Sequence, residues 1–419
     1  MLDINYIQQN PDKIKWACQV KQLDPAVVDQ LLIVDQKRRQ LKQQIDQVRQ
    51  QVNENAEEIK QQVHQGQKPD PELIKKGRQI KDQLKQVEPE FRQVKEEFDQ
   101  LMLQIPNVPA AEVPLGQDES GNVVVRQVGQ VPEFDFKPLP HDQLMKNLDW
   151  VDIERGVKIA GFRSYFLKNK AVVLEQALLR YALDFMIKQD FTPMTVPILV
   201  NEEPLVGTGY FPWGQDDHYY TQEGQILTGT AEVALTSYYM NETLREDDLP
   251  IKLAGVSPCF RKEVGAHGKD TQGVIRVHQF NKVEQVVLTV ADEKKTQEWH
   301  EKMLGFSEKL LQNLELPYQV LMMCTGDMGA GQRKKYDLET WFPAQNKYRE
   351  THSASYFNDF QTRRLGIKYQ AKDGSTKYAY SLNNTVAATP RLLAAIIENY
   401  QQPDGSVKIP AVLEPYMSC

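Results

Sequence analysis

The chain has 419 residues, 41% of them hydrophobic and 26% charged, with a formal net charge of −7. That balance is the one expected of an ordinary multidomain protein with a substantial core. It excludes a broadly basic nucleic-acid binder, although a local basic track remains open because screening limits each charge's reach to roughly 10 Å. No run of about 18 apolar residues is present, so no transmembrane helix is expected, and the start Met1-Leu2-Asp3-Ile4-Asn5 lacks a signal-peptide pattern. A cytoplasmic protein is expected.

In chain order, the first strong pattern lies between residues 27 and 104. Val27, Leu31, Val34, Leu41, Ile45, Val48 and Val52 recur in steps of four and three, with Arg38 in the one polar slot. A second series runs from Leu73 through Ile80, Leu84, Val87, Phe91, Val94, Phe98 and Leu101 to Ile105, with Gly77 in its weak slot. A period of 3.5 is the seam of a coiled coil. Gly66-Gln67-Lys68-Pro69-Asp70-Pro71 separates the two series. Helices joined by so short a turn pack antiparallel, each extending roughly 50 Å. Pro89 should kink the second helix or interrupt its hydrogen bonds. Residues 27–104 hold 14 Lys/Arg, 14 Asp/Glu and 18 Gln, so the arm is neutral and the rest carries the −7. On this pattern alone, a dimerisation coiled coil and an arm that grips a partner both remain open.

After Ile105, Pro106, Pro109, Pro114, Gly116 and Gly121 mark a linker, giving expected units of 1–105 and 106–419. Short β-rich runs (123–125, 285–288, 318–321) then alternate irregularly with helical ones (172–187, 390–399). This predicts an α+β fold with a mainly antiparallel sheet flanked by helices. No GxxxxGK[ST] and no GxGxxG after a strand occurs. Any ATP must therefore be held without a P-loop. Cys18, Cys259, Cys324 and Cys419 form no CxxC pair, and the histidines form no HxH or HExxH. Reduced thiols are expected, and no zinc site.

Four clusters carry candidate chemistry. Thr230-Ala231-Glu232 offers a hydroxyl and a carboxylate two residues apart, on one face if extended, suited to an ammonium; a helix N-cap is the competing explanation. Cys259-Phe260-Arg261-Lys262-Glu263 and Ile275-Arg276-Val277-His278-Gln279-Phe280, ending at Glu284, suggest two strands of a hairpin, with Arg261 placed to fork onto phosphate or carboxylate. Glu350-Thr351-His352-Ser353-Ala354-Ser355 places carboxylate and hydroxyl where they can hold Mg²⁺ beside phosphates. Leu382-Asn383-Asn384-Thr385 leads into Pro390-Arg391, an arginine in the first turn of an apolar helix and aimed back at the sheet.

In this order, the clusters resemble the three signature motifs of class II aminoacyl-tRNA synthetases, specifically the bacterial-type seryl-tRNA synthetase family. Phe191-Thr192-Pro193-Met194-Thr195-Val196-Pro197 resembles motif 1, Phe260 to Glu284 motif 2, and Ala388-Thr389-Pro390-Arg391 with Glu398-Asn399-Tyr400-Gln401 motif 3. Thr230-Ala231-Glu232 is similar to the family's serine-binding signature. The resemblance implies an ATP-dependent ligase forming seryl-adenylate and passing serine to tRNA(Ser), and to tRNA(Sec) where that exists. It implies that Thr230, Ala231, Glu232, Arg261, Glu284 and Thr385 bind serine. It assigns Arg261, Lys262, Glu263, Phe280, Glu350, Thr351, His352, Ser353 and Arg391 to ATP, Glu350 and Ser353 to Mg²⁺, and Arg261, Glu284 and Arg391 to catalysis. It further implies a homodimer, a coiled-coil arm that embraces tRNA, and a 264–275 loop that reaches the acceptor end. His352, Ala354 and Asn384 depart from the residues common in the family, and Asn383-Asn384-Thr385 is expected to narrow or reorient the serine pocket. Two rivals are a catalytically silent tRNA-binding relative and an amino acid:carrier-protein ligase. The first would be favoured by loss of Arg261, Glu284 or Arg391, all of which are present; the second lacks a long arm.

Overall fold

The computed structural model describes residues 1–264 and 273–418. It divides into two compact units: residues 2–19 with 23–106, and residues 1, 20–22 and 107 onward.

In the first unit, helices α1 (Ala26–His64) and α2 (Pro71–Gln104) pair along their length. The turn between them uses Gly66 at φ +72°, a left-handed conformation that glycine adopts without penalty. Asp70 then caps α2 by accepting from the Glu72 amide, with Pro71 at the first helical position. The 3.5-residue seam is buried: Leu31, Leu41, Ile45 and Val48 on α1, Ile80, Val94 and Leu101 on α2. The two weak slots have physical explanations. Arg38 lays its guanidinium 4.3 Å from the centre of the Phe98 ring and pairs with the buried Asp35. Gly77 leaves room for Asn55, whose Oδ1 would lie 2.6 Å from any Cβ added there. Pro89 lies inside α2, which continues through it to Gln104; proline has no N–H, so the ladder is interrupted by one missing bond, and the seam on both sides supplies the packing.

The second unit is built on an eight-stranded sheet. In chain order its strands are β1 (Val123–Val128), β2 (Thr192–Thr195), β3 (Ile251–Phe260), β4 (Gln279–Thr289), β5 (Tyr318–Met322), β6 (Lys334–Phe342), β7 (Lys347–Asn358) and β8 (Tyr380–Ala388). The spatial order is β1-β5-β6-β7-β8-β4-β3-β2, antiparallel throughout except for the edge pair β2–β3. Helices α3 (Lys170–Ile187), α5 (Glu293–Asn313) and α6 (Thr389–Asn399) pack on it, and the short α4 (Glu232–Thr236) lies against β3 and β4. Leu174, Leu178, Val283, Val287, Leu310 and Leu392 belong to one continuous core beneath the sheet. At about 25 cal/mol per Å² of apolar surface removed from water, that core is the main stabilising contribution. The opposite face of the central strands is left for polar residues. Among the described residues, no helix is long and apolar enough to cross a membrane.

Candidate active site

Three central strands form the floor. On β4, Phe280, Lys282 and Glu284 alternate and so face one side. Gln285 faces the other, where its amide donates to the Met303 carbonyl of α5. Beside it, β8 pairs Thr385 with Glu284, and the register then slips by one residue between Val283 and Glu284. The next strand, β7, slips against β6 between Leu338 and Glu339, so that Ser353 stands opposite Asp337 while Glu350 stands opposite Glu339. Such a bulge lets residues three apart share a face, which plain alternation forbids. The result is a cavity of about 240 Å³, lined by Arg261, Glu284, Glu350 and Arg391 together with Phe280 and Thr385.

One end is a buried polar pocket. Lys282 Nζ lies 2.5 Å from Glu284 Oε2 and donates to Thr230 Oγ1 at 2.6 Å. Glu232 accepts from the Tyr210 hydroxyl at 2.8 Å and from the Gln361 amide at 2.9 Å. Burial, then the nearby Glu284 carboxylate, raises the Glu232 pKa above its ordinary value. Glu284 has a neutralising cation; Glu232 has only hydrogen-bond donors, so an incoming ammonium would relieve it.

The other end is built for a polyanion. Arg391, in the first turn of α6, donates to Glu350 Oε2 at 2.8 Å and to the Glu350 carbonyl at 3.0 Å. Burial pushes the Glu350 pKa up, but Arg391 and Lys335 outweigh it and hold the carboxyl down at about 2. Arg261 places its guanidinium 5.4 Å from the centre of the Phe280 ring, and its Nε donates to the Gly229 carbonyl. Glu263 is held at 3.0 Å by Arg276. Asp337 is buried, and its Oδ1 has no hydrogen-bond partner among the described residues. Burial, partly offset by Lys335, raises its pKa. With the Glu350 carboxylate and the Ser353 hydroxyl, this is a set of hard oxygen donors that fits Mg²⁺. Among the described residues there is no cluster of three acidic, His or Cys ligands.

Several sequence expectations change. Lys262 does not enter the cavity: its ammonium lies 5.7 and 5.6 Å from the ring centres of Tyr219 and Tyr220. His352 points through the sheet, its Nε2 bonded to the Val386 carbonyl. Its imidazole is therefore turned away from the cleft, and Ser353 is the neighbour whose side chain lines it. Asn384 likewise faces α5 and donates to the Met303 carbonyl and Ser307 Oγ. Its own side chain therefore stays out of the pocket, while Asn383 and Thr385 line that side. Ala354 is fully buried in the core beneath the sheet. Ala231 buries its methyl among Val196, Leu235 and Leu253. Thr351 borders the cavity, but its hydroxyl is already bonded to Thr340 and His352. Thr230 and Glu232 come together through a turn, not an extended strand: Thr230 Oγ1 accepts the Glu232 amide, while the N-cap position of α4 falls on Ala231, which has no side-chain cap. Of the 264–275 loop, residues 265–272 lie outside the described residues.

The site also contains Asn383 of the fourth cluster, and Tyr210, Lys282, Lys335 and Asp337, which the sequence patterns do not single out. Alternation is the signal that could have found Lys282, midway between Phe280 and Glu284. Asp337 and Lys335 carry no local signal; only strand pairing brings them to Glu350.

The class II tRNA synthetase core domain (the group for Gly, His, Pro, Ser and Thr) matches residues 217–400, and the seryl-tRNA synthetase N-terminal domain matches residues 1–109. A serine–tRNA ligase of Deinococcus radiodurans is 44% identical, over 100% of this chain and 97% of that protein. The chain belongs to the seryl-tRNA synthetase family, the class II serine–tRNA ligases. One from Desulfosudis oleivorans is 40% identical over 100% and 98%. Among solved structures, the Pyrococcus horikoshii seryl-tRNA synthetase complexed with ATP is 38% identical with a TM-score of 0.91, covering 100% of this chain and 98% of that one. The Naegleria fowleri cytoplasmic serine–tRNA ligase in complex with AMP gives 35% and 0.87, covering 100% and 97%. The α+β fold with its helical arm is thus the family's, and a nucleotide-binding ligase is the activity class.

Proposed function

We propose that this protein activates L-serine with ATP and transfers it to tRNA(Ser), and to tRNA(Sec) where that tRNA exists. The observation that carries the proposal is the convergence of Arg261, Glu284, Glu350 and Arg391 on one cavity.

Serine's ammonium lies against Glu232, and its hydroxyl meets Glu284 and Thr385. Its carboxylate oxygen attacks the α-phosphorus in line, the bond to the bridging oxygen breaks, and pyrophosphate leaves with the electron pair. Arg261 holds the α-phosphate and the serine carboxylate, Phe280 supports the adenine, and Arg391 neutralises charge at the γ-phosphate. Glu350 and Ser353 would hold Mg²⁺, which would supply Lewis-acid charge neutralisation of the phosphates. Little covalent help is needed; positioning and electrostatic stabilisation supply the acceleration. The tRNA ribose hydroxyl then attacks the adenylate carbonyl and AMP leaves. Alanine would leave Glu284 or Thr385 unpaired. A site built to hydrogen-bond a substrate hydroxyl rejects the analogue lacking it by roughly 10⁴–10⁵, as in the discrimination of tyrosine from phenylalanine.

The arm α1–α2 is the tRNA grip. Being neutral, it recognises shape more than phosphate charge. Exposed Ile159, Phe162, Phe166, Val172, Ile187 and Leu199 flank the motif 1 segment along the chain and support a homodimer. The protein acts in the cytoplasm, where its substrates are. The test is serine-dependent ATP–pyrophosphate exchange measured across all twenty amino acids, then charging of total tRNA. Exchange with serine alone and its loss in Arg261→Ala are expected. Normal exchange in that variant would refute the role of Arg261.

A further inference from the structure

Lys335 has no part in the assignments above, yet its position is specific. It sits two residues before Asp337 on β6, so the two share a face. The β6–β7 pairing sets Lys335 opposite Ser355 and Asp337 opposite Ser353. Both serines line the cleft. Lys335 Nζ lies 2.9 Å from Asp337 Oδ2, and the side chain is only 17% exposed. It lines both the cleft and an adjoining cavity that also contains Arg276, Asp337 and Arg391.

The charges explain why a cation belongs here. Glu350 and Asp337 place two acidic groups where a triphosphate must also lie. Arg391 is already paired with Glu350. A polyanion entering this end would meet repulsion that a further mobile cation offsets, and a lysine's compact ammonium on a flexible stem can change partners as a stacked arginine cannot.

We propose that Lys335 is a phosphate-binding residue that leaves Asp337 for the β- or γ-phosphate of bound ATP and stays with the leaving pyrophosphate. As the bond from the α-phosphorus to the bridging oxygen breaks, the electron pair goes to pyrophosphate; the ammonium offsets that charge and keeps its proton. Serine and the AMP moiety are outside its reach. The inference rests on the cleft being the ATP site.

The experiment compares ATP, pyrophosphate, AMP and serine affinities in the full-length wild type, Lys335→Met and Lys335→Arg. Methionine should weaken ATP and pyrophosphate by about tenfold or more, leaving AMP and serine within roughly threefold, and arginine should restore most of the loss. Equal loss for ATP and AMP, or no change in either, overturns the proposal. Should Lys335→Met not fold, acylation of the wild-type lysines decides: ATP or pyrophosphate should protect Lys335 while AMP does not, and equal protection by all three overturns it. Failure of the wild type to bind ATP would instead sink the reading of the cleft itself.

Discussion

Glu232→Gln should make the protein worse at its reaction and more stable at the same time. Glu232 is 6% exposed. Its carboxyl pKa is raised, first by burial and then by Glu284. A raised acid means that the native state binds its proton more tightly than the unfolded chain does. The native state therefore loses stability as pH rises from the unfolded carboxyl value, about 4.3, through the folded one, and above that the full penalty applies. Glutamine carries no charge to desolvate and none to repel Glu284. Its carbonyl can accept from Gln361, and its amide can donate to the Tyr210 oxygen, so both hydrogen bonds survive in altered sense. The melting temperature at neutral pH should rise, and the difference from wild type should fade below about pH 4. Serine, however, loses a charge-assisted hydrogen bond to its ammonium, worth about 1.5–3 kcal/mol. That predicts a fall of roughly 10- to 150-fold in kcat/KM for serine, with the KM for ATP unchanged because the nucleotide end contains neither partner. The assays are pyrophosphate exchange at varied serine and at varied ATP, with a thermal melt across pH. Unchanged serine use, or equal damage to ATP use, would refute the placement of the ammonium at Glu232; a lower melting temperature would refute the electrostatic argument.

His352 and His300 are fully buried, and burial lowers both pKa values to about 4. The unfolded chain takes up these protons near pH 6.5 while the native state does not until about 4, so stability is lost as pH falls through that window, by about 1.4 kcal/mol per pH unit for each proton. His352→Gln keeps a donor for the Val386 carbonyl and should flatten the wild-type curve of unfolding midpoint against pH by one proton's slope between pH 4 and 6.5; parallel curves would count against a neutral buried imidazole. Deleting residues 31–101 should spare serine-dependent pyrophosphate exchange and cripple tRNA charging, read by paired assays; equal loss of both would contradict a separable arm.

How much of this is open to a reader of the sequence differs from residue to residue. The arm is legible because a 3.5-residue period and a Pro/Gly turn are local facts, and each survives in α1 and α2 with its weak slots at Arg38 and Gly77 explained by Phe98 and Asn55. The chemistry of Arg261, Glu284 and Arg391 is legible as residue types in order, with a family resemblance to give them roles. The side of the sheet on which a residue falls is not. Strand alternation is reliable only until a bulge shifts it by one, and the register slips beside Glu284 and Glu339 do that on two of the three floor strands.

By itself, then, the sequence determined that two long helices pair, that a mainly antiparallel sheet follows, and which side chains could bind a zwitterion and a triphosphate. Only the tertiary structure decided that the side chains of Lys262, His352 and Asn384 turn away from the cleft, while Lys282 and Lys335 turn into it and Asp337 lines the cavity beside it. The physical reason is that helix periodicity is written along the chain, whereas facing and neighbourhood in a sheet depend on register against strands distant in sequence.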